Sequence, residues 1–531
     1  MQVTTLQIVL IALFYSCVQS FLPFGFICRA ANSPLVIGWV IGIILGDPLT
    51  GATTGALIQM VYLGVVSVGN TVSSNKVVAA TIGVSFVMIQ ALDAEAGLVL
   101  AVPVGVALAT MQNWIATLLI VFANMVSKSI YEKKYSMAYV WFFISGFCKM
   151  AIYFVAMFIA LRFGVSNLTG LVDNIPAWIT AGMTVVAGAL PAVGLALGLK
   201  PLSGRGTVWY TIISFILVSQ LELSVMTMCI LAVCLSAFII FGKIERGEVD
   251  FSSFFEEGEE RSQHVITQKD AVVASLKMNM CNDYIVNSVK YLGETLMLIM
   301  LPIMKKLYPD NQDRQVEELS KYDCYFTTAA ILSGVITAPV MLMEEQRAQG
   351  NEEVTPEVIN GYIAGTMGPV AAIGDPLGQA VINVVCISVG LGMVNAGSAW
   401  GAGIAFLGML IGNGIFVLGT PVVAYRFGTR IIDKLFSSGI GTVVSEIGGV
   451  IGSVAFGALA ASYVKLSFGE LAFAGVTLQT DLIDKILPGL LPLCLLLWCY
   501  NMLKKNKVSA LAMLLIVFVA AFVLGAVGIL S

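Results

Sequence analysis

The chain is 531 residues long, 58% hydrophobic and only 11% charged, where a soluble globular domain carries about 25% charged residues. Its net charge of −4 comes with no basic block, which argues against a nucleic-acid partner. A mean hydropathy of +0.91 points to the bilayer, and most of the 52 glycines sit in apolar runs, as they do where membrane helices pack closely.

A spanning helix needs about 20 mostly apolar residues. The N-terminus lacks the basic stretch and small-residue cleavage site of a signal peptide, so Val3–Phe21 reads as a retained membrane segment. Apolar stretches follow at Pro34–Leu45, Gly51–Gly69, Val77–Leu92, Leu98–Val126, Met137–Arg162, Ile175–Leu199 and Val208–Gly242. Residues 245–270 are acidic and too charged for hydrocarbon, and read as a solvated linker. A partly polar helical region, 271–325, precedes a second membrane part, 326–531, with stretches at Phe326–Met343, Gly361–Ile373, Pro376–Leu391, Trp400–Leu418, Ile440–Tyr463, Ile483–Leu503 and Leu511–Leu530. The expected fold is therefore an all-α polytopic membrane protein with a dozen or more spans. Its two membrane domains, 1–244 and 271–531, lie on either side of the linker. Closed barrels do not suit segments so long and so apolar on all sides. Pro34–Leu45 and Gly361–Ile373 are too short to cross, and short broken segments in both halves point to re-entrant or discontinuous helices around a transporter site. Kinked or tilted helices are the plainer account.

The sequence Gly-Asp-Pro-Leu occurs twice, at Gly46–Leu49 and at Gly374–Leu377. Asp is a strong N-cap and Pro suits the first helical position, so each motif reads as a turn inside the membrane that starts a new helix. Asp47 and Asp375 either cap those helices and nothing more, or also accept hydroxyl hydrogen bonds from a substrate. Glu344 and Glu345 follow an apolar run beside Arg347. They suit a cation or substrate site, or equally a solvated helix end. Gln59, Ser67, Asn70 and Asn75 lie in or just after an apolar helix, as candidate substrate contacts or as polar glue between helices.

Catalytic signatures are missing from the text. There is no Walker-type phosphate loop, no Gly-x-Ser-x-Gly elbow and no His-Glu-x-x-His. The ten cysteines form no Cys-x-x-Cys pair, and His264 is the single histidine, so neither a metal, a cofactor nor histidine-based catalysis is expected.

At these residues a resemblance emerges. The text TTLQIVL and PLVIGWVIGIILGDPLTGATTGALIQMVYLG resembles the IIC component of mannose-family permeases of the bacterial phosphoenolpyruvate-dependent sugar phosphotransferase system. MEEQRAQG, INGYIAGTMGPVAAIGDP, GALAASYV and DKILPGLLPLCLLLWCYNMLKKN resemble the IID component. The likeness covers nearly the whole chain except the linker, and implies two components fused in one polypeptide. It further implies a non-enzymatic permease that binds a hexose or related sugar in its membrane part, where Asp47, Gln59, Ser67, Asn70, Glu344, Glu345 and Asp375 are the candidate contacts. The sugar would cross by an elevator-type movement. It would be phosphorylated by a IIB partner, which is charged by IIA and, behind it, the HPr phosphocarrier. A homotrimer in the bacterial cytoplasmic membrane is the implied assembly. The chain departs from the IID pattern at Ile285–Val289, Lys321–Tyr322 and Tyr325–Thr328, and from the IIC pattern at Ser67. Two alternatives stand beside this reading. One is an ion-coupled secondary transporter, with Asp47, Glu344, Glu345 and Asp375 as coupling-ion ligands. The other is a non-transporting sensor on a permease scaffold.

Overall fold

The computed structural model describes residues 3–22, 24–62, 75–90, 101, 115, 118–165, 177–200, 206–247, 265–281, 290–428, 440–469, 472–473, 476–477, 479, 484, 487–505 and 507–530. Helices carry this chain, and the described strands are one antiparallel pair, Ala472–Phe473 with Val476–Thr477. Among the described residues four helices are long and apolar enough to cross a membrane: Tyr135–Phe163, Thr227–Glu245, Trp400–Phe427 and Glu446–Tyr463. Eight further apolar helical stretches span 10–17 of the described residues. Local breaks divide some of the apolar runs. Val208–Gly242, for example, is two helices, Thr207–Leu221 and Val225–Glu245, separated where Glu222 turns left-handed and Ser224 caps the second.

The first helix, Thr5–Ser20, starts with a capping box in which Thr4 and Gln7 satisfy each other's backbone. It stops at Phe21, a left-handed residue with φ 62°, and the chain resumes as Gly25–Ala31 with its axis turned by 112°. Gln7 Nε2 also donates to the Ile44 carbonyl at 3.0 Å, which ties the start of this helix to the hairpin that follows.

That hairpin is built on the first Gly-Asp-Pro-Leu motif. Pro34–Leu45 and Pro48–Tyr62 are 12 and 15 residues long, about 18 and 22 Å at 1.5 Å per residue. Four glycines set their spacing. A Cβ at Gly38 would fall on the Gly51 carbonyl, one at Gly42 on the Asp47 carbonyl, one at Gly51 on the Gly38 carbonyl and one at Gly55 on the Pro34 carbonyl. At the tip Gly46 adopts φ +96°, a conformation open to glycine at little cost.

The second motif behaves differently. The Pro356–Asp375 helix does not end there; it widens into a π-turn over Pro376–Ile382 and continues as Asn383–Asn395. Asp375 keeps helical angles, φ −66° and ψ −47°, and makes no capping bond. The expected turn is thus a bulge in a continuous rod, because the wider turn accommodates the proline's missing N–H. The segment Gly361–Ile373, expected to be too short to cross, is part of that rod.

The buried apolar residues form two cores, and each draws on both halves of the sequence. One joins Ile8–Val18, the hairpin and Tyr153–Leu161 to Val384–Met409 and Ile451–Ala521. The other joins Leu22 and Ala123–Phe142 to Ile266–Met343, Ile359–Val370 and Val417–Phe427. Single helices pass through both: Trp400–Phe427 contributes Met409 to one core and Val417 to the other. The cores are therefore stacked along the helices rather than divided between the sequence halves. Polar contacts seal the halves at one end. Asp323 accepts from Ser127 Oγ at 3.0 Å, Tyr131 Oη at 3.0 Å and Lys290 Nζ at 2.6 Å, and Lys133 pairs with Asp313 at 2.5 Å. The start of the described segment 265–281 is attached at this same end, here termed the linker face: Glu345 holds the backbone of Val265 and Ile266.

Candidate substrate site

Between the two apolar cores the helices switch to polar side chains. On Thr5–Ser20 the order is Val18, then Gln19 and Ser20, then Leu22 of the other core. On Tyr135–Ile159 it is Phe142, then Ser145 and Lys149, then Tyr153; on Trp400–Phe427 it is Met409, Asn413, Val417. On the rod it is Val370, then Asp375 and the π-turn, then Asn383 and Val384. This level is half-way along the longest helix. It also coincides with the break between Ser20 and Gly25, so both a discontinuous helix and a π-turn lie in the polar layer. Contacts across the layer join the halves. The Phe26 ring lies 3.4 Å from where a Gly414 Cβ would stand, and Arg29 is within electrostatic reach of Asp375; within the second half Asn413 Nδ2 donates to Asn383 Oδ1 at 3.4 Å.

The expected site residues are dispersed through this frame. Asp47 is exposed at the hairpin tip, where its Oδ1 accepts from Leu49 N at 3.2 Å and Thr50 N at 3.1 Å, and its Oδ2 accepts from Thr50 Oγ1 at 2.6 Å. Trp39 of the hairpin meets Trp400 at 5.9 Å, whereas Asn413 beside the second motif lies about 20 Å farther along that helix. The two motifs are not brought together. Gln59 is buried at the open end of the hairpin, accepting from Ser33 Oγ at 2.6 Å and Leu35 N at 3.4 Å, and so caps the partner helix. Ser67 and Asn70 lie outside the described residues. Asn75 is a buried N-cap for Val77 and Val78 at 3.1 Å each.

Glu344 and Glu345 are not a solvated helix end; they are 0% and 1% exposed. Glu344 accepts from Tyr322 Oη and pairs with Lys321 Nζ at 2.7 Å. Lys321 also reaches Glu318 at 2.6 Å, which in turn holds Arg314 at 2.7 Å and Arg347 at 3.1 Å. Charges removed from water this fully need such partners. Burial alone would raise the Glu318 carboxyl, but Lys321, Arg347 and Arg314 outweigh it and hold it below its usual value. A depressed carboxyl stabilises the fold above the unfolded value and stops doing so as pH falls through the folded one. The melting temperature of the purified protein is expected to hold from pH 8 to 5 and to drop below the ordinary glutamate value of about 4.3. Glu318→Gln should flatten that drop, and an unchanged acid limb in the variant would count against this assignment.

Two family profiles match the chain. The profile described as the phosphotransferase-system mannose/fructose/sorbose family IID component covers residues 265–530, and that of the sorbose-specific IIC component covers residues 5–238. The mannose-specific EIID component of Escherichia coli K12 is 30% identical over 251 residues, covering 43% of this chain and 81% of the relative. This chain belongs to the mannose/fructose/sorbose family of phosphotransferase-system permeases. In it the IIC and IID components are fused in that order. The sorbose-specific EIIC component of Lacticaseibacillus casei is 26% identical over 230 residues, covering 43% of this chain and 81% of its own. The sorbose-specific EIID component of Klebsiella pneumoniae is 27% identical over 289 residues, 51% of this chain and 99% of its own. Among solved structures, one described only as a membrane protein aligns with TM-score 0.45 at 24% identity, covering 50% of this chain and 98% of that one. The mannose transporter ManYZ in complex with microcin E492 aligns with TM-score 0.29 at 26% identity over the same shares.

As a fused IIC–IID permease the protein is a membrane sugar carrier, and phosphoryl transfer belongs to the separate IIA and IIB proteins of its system. Several residues of the permease's polar layer were passed over in the sequence reading. Gln19, Arg29, Lys149 and Asn413 are single polar residues in apolar text. Their one-dimensional signal is an isolated polar residue in a membrane helix, which marks a functional position by default when charged. What the sequence lacks is the register that sets four such positions at one depth.

Proposed function

We propose that the sugar binds in the polar layer between the two cores, where the broken first helix of the IIC half faces the π-turn of the IID half. The observation that carries this is the change from apolar to polar and back on four helices at one depth. Asp375 and Asn383 on the IID side and Arg29 on the IIC side supply the groups that recognise hydroxyls, and Ser67 and Asn70 are further proposed contacts. Asp47, Gln59, Glu344 and Glu345 serve the site indirectly, by closing the hairpin and bracing the IID core. The hairpin is re-entrant: each arm is shorter than the roughly 30 Å hydrocarbon core. It travels with the sugar in an elevator-type movement.

The linker face is cytoplasmic. Lys128, Lys133, Lys134, Lys305 and Lys306 gather near it, in keeping with the positive-inside rule. There a IIB partner, charged through IIA and HPr, phosphorylates the incoming sugar. The domains are 1–244 and 271–531, tethered by 245–270, and three fused chains assemble in the bacterial cytoplasmic membrane.

The test is uptake in cells with and without IIA and IIB. Sugar phosphate is expected to accumulate only with both, and Asp375→Asn is expected to weaken sugar binding tenfold or more while the protein still inserts. Uptake that persists without IIA and IIB and follows a proton or sodium gradient would overturn the group-translocation reading in favour of ion coupling. Parent-like binding by Asp375→Asn would remove Asp375 from the site.

A further inference from the structure

Two buried side chains of the first half lie in the polar layer with no role so far. Helices Thr5–Ser20 and Tyr135–Ile159 pack antiparallel. Ile8 and Ile11 share a core with Met157 and Leu161, while Leu22 shares the other with Phe142. Between these ends the rings of Tyr15 and Tyr153 meet edge to face at 6.1 Å. One turn on toward the linker face, four residues along each helix, come Gln19 and Lys149. They are 5% and 6% exposed.

The neighbours of Gln19 are satisfied: Ser16 Oγ donates to the Leu13 carbonyl at 2.8 Å and Ser20 Oγ to the Ser16 carbonyl at 2.6 Å. Among the described residues Gln19 Oε1 is buried with no hydrogen-bond partner, a condition that ordinarily destabilises a fold. Lys149 has an interaction within the protein, but an ammonium carries three donors.

We propose that Gln19 and Lys149 form the IIC-side wall of the sugar site and together hold one sugar hydroxyl. This rests on the placement of the sugar in the polar layer. Lysine offers donors only, and an amide oxygen accepts only. A hydroxyl completes both at once, its oxygen accepting from Lys149 Nζ and its proton going to Gln19 Oε1. A ligand ammonium at that position would be repelled by Lys149, and a carboxylate would bring no proton to Gln19. The pair therefore selects a neutral polyol there and discriminates against a deoxy or amino analogue.

The test is binding of radiolabelled mannose, sorbose and glucosamine to the full chain in lipid nanodiscs, with uptake in cells that express IIA and IIB. For the sugar the parent binds best, Gln19→Leu and Lys149→Met are each expected to raise the dissociation constant tenfold or more. The half-saturation concentration of uptake should rise with them while the maximal rate is kept, and Lys149→Arg should restore part of the loss. Of the monodeoxy analogues of that sugar, one should bind the parent poorly yet match the intact sugar on the Gln19→Leu/Lys149→Met double variant. Parent-like affinity in both single variants, with Asp375→Asn still impaired, would overturn the pair and leave the layer standing. Parent-like affinity in all three, or no binding of any probe by the parent, would overturn the layer as well. Where Lys149→Met fails to fold, Gln19→Leu decides, since it removes an atom that has no partner: unchanged affinity there sinks the proposal.

Discussion

Gly51→Leu is expected to remove folded protein from the membrane. The Gly51 Cα faces the Gly38 carbonyl and the Gly42 backbone across the hairpin, so a side chain there meets main chain and not another flexible side chain. Overpacking of an adaptable core costs about 1–3 kcal/mol. Here neither helix can give way without parting the hairpin along its length, against a total stability on the order of 5–15 kcal/mol. Gly361→Ala is the matched control, because nothing stands within 4 Å of its Cβ position. Size-exclusion chromatography of detergent extracts would read both. A parent-like monodisperse peak for Gly51→Leu would show that the two short helices are not packed face to face through their glycines.

The second large effect is expected at Lys321. Lys321→Met leaves Glu344 and Glu318, at 0% and 2% exposed, without the ammonium they share, while Tyr322 Oη and Arg347 remain. Removing one partner of a buried ion pair costs about 3–5 kcal/mol, whereas removing the pair together is often near neutral. Lys321→Met alone should therefore lower the melting temperature sharply, and Lys321→Met/Glu344→Gln should recover most of it. Equal melting of the single and double variants would mean that Lys321 and Glu344 do not act as a unit. The same experiment separates bracing from recognition, since a carboxylate used only for bracing leaves sugar affinity in the recovered double variant close to that of the parent.

The residues that sequence reading singled out illustrate what local chemistry can and cannot announce. Asp47 was recognisable as a cap because Asp followed by Pro at a helix start is a local device, and its capping bonds reach only to Leu49 and Thr50. Asp375 carries the same four-residue motif, yet its helix runs on through a π-turn, with Gly374 set against Ala329 and Leu332 and Gly378 against Ile331 and Asn413. These contacts lie far away in sequence, so no local pattern distinguishes the two motifs. Glu344 and Glu345 stood out as charges beside an apolar run, but whether they met solvent, substrate or lysine was decided by Lys321, Tyr322 and the backbone of Val265 and Ile266.

By itself, then, the sequence determined the solvent and the secondary structure. Hydrophobicity summed along the chain decides what enters the bilayer, and in the bilayer the backbone must satisfy itself, which makes the segments helical. Family text placed the IIC and IID halves. Only the tertiary structure decided that the halves share two stacked cores, and that Gln19, Arg29, Lys149, Asp375 and Asn413 come to one level between them. The physical reason is one of range. Burial and helix formation are summed over neighbouring residues, whereas a binding layer depends on the register between helices, set by packing and polar contacts that join residues hundreds of positions apart.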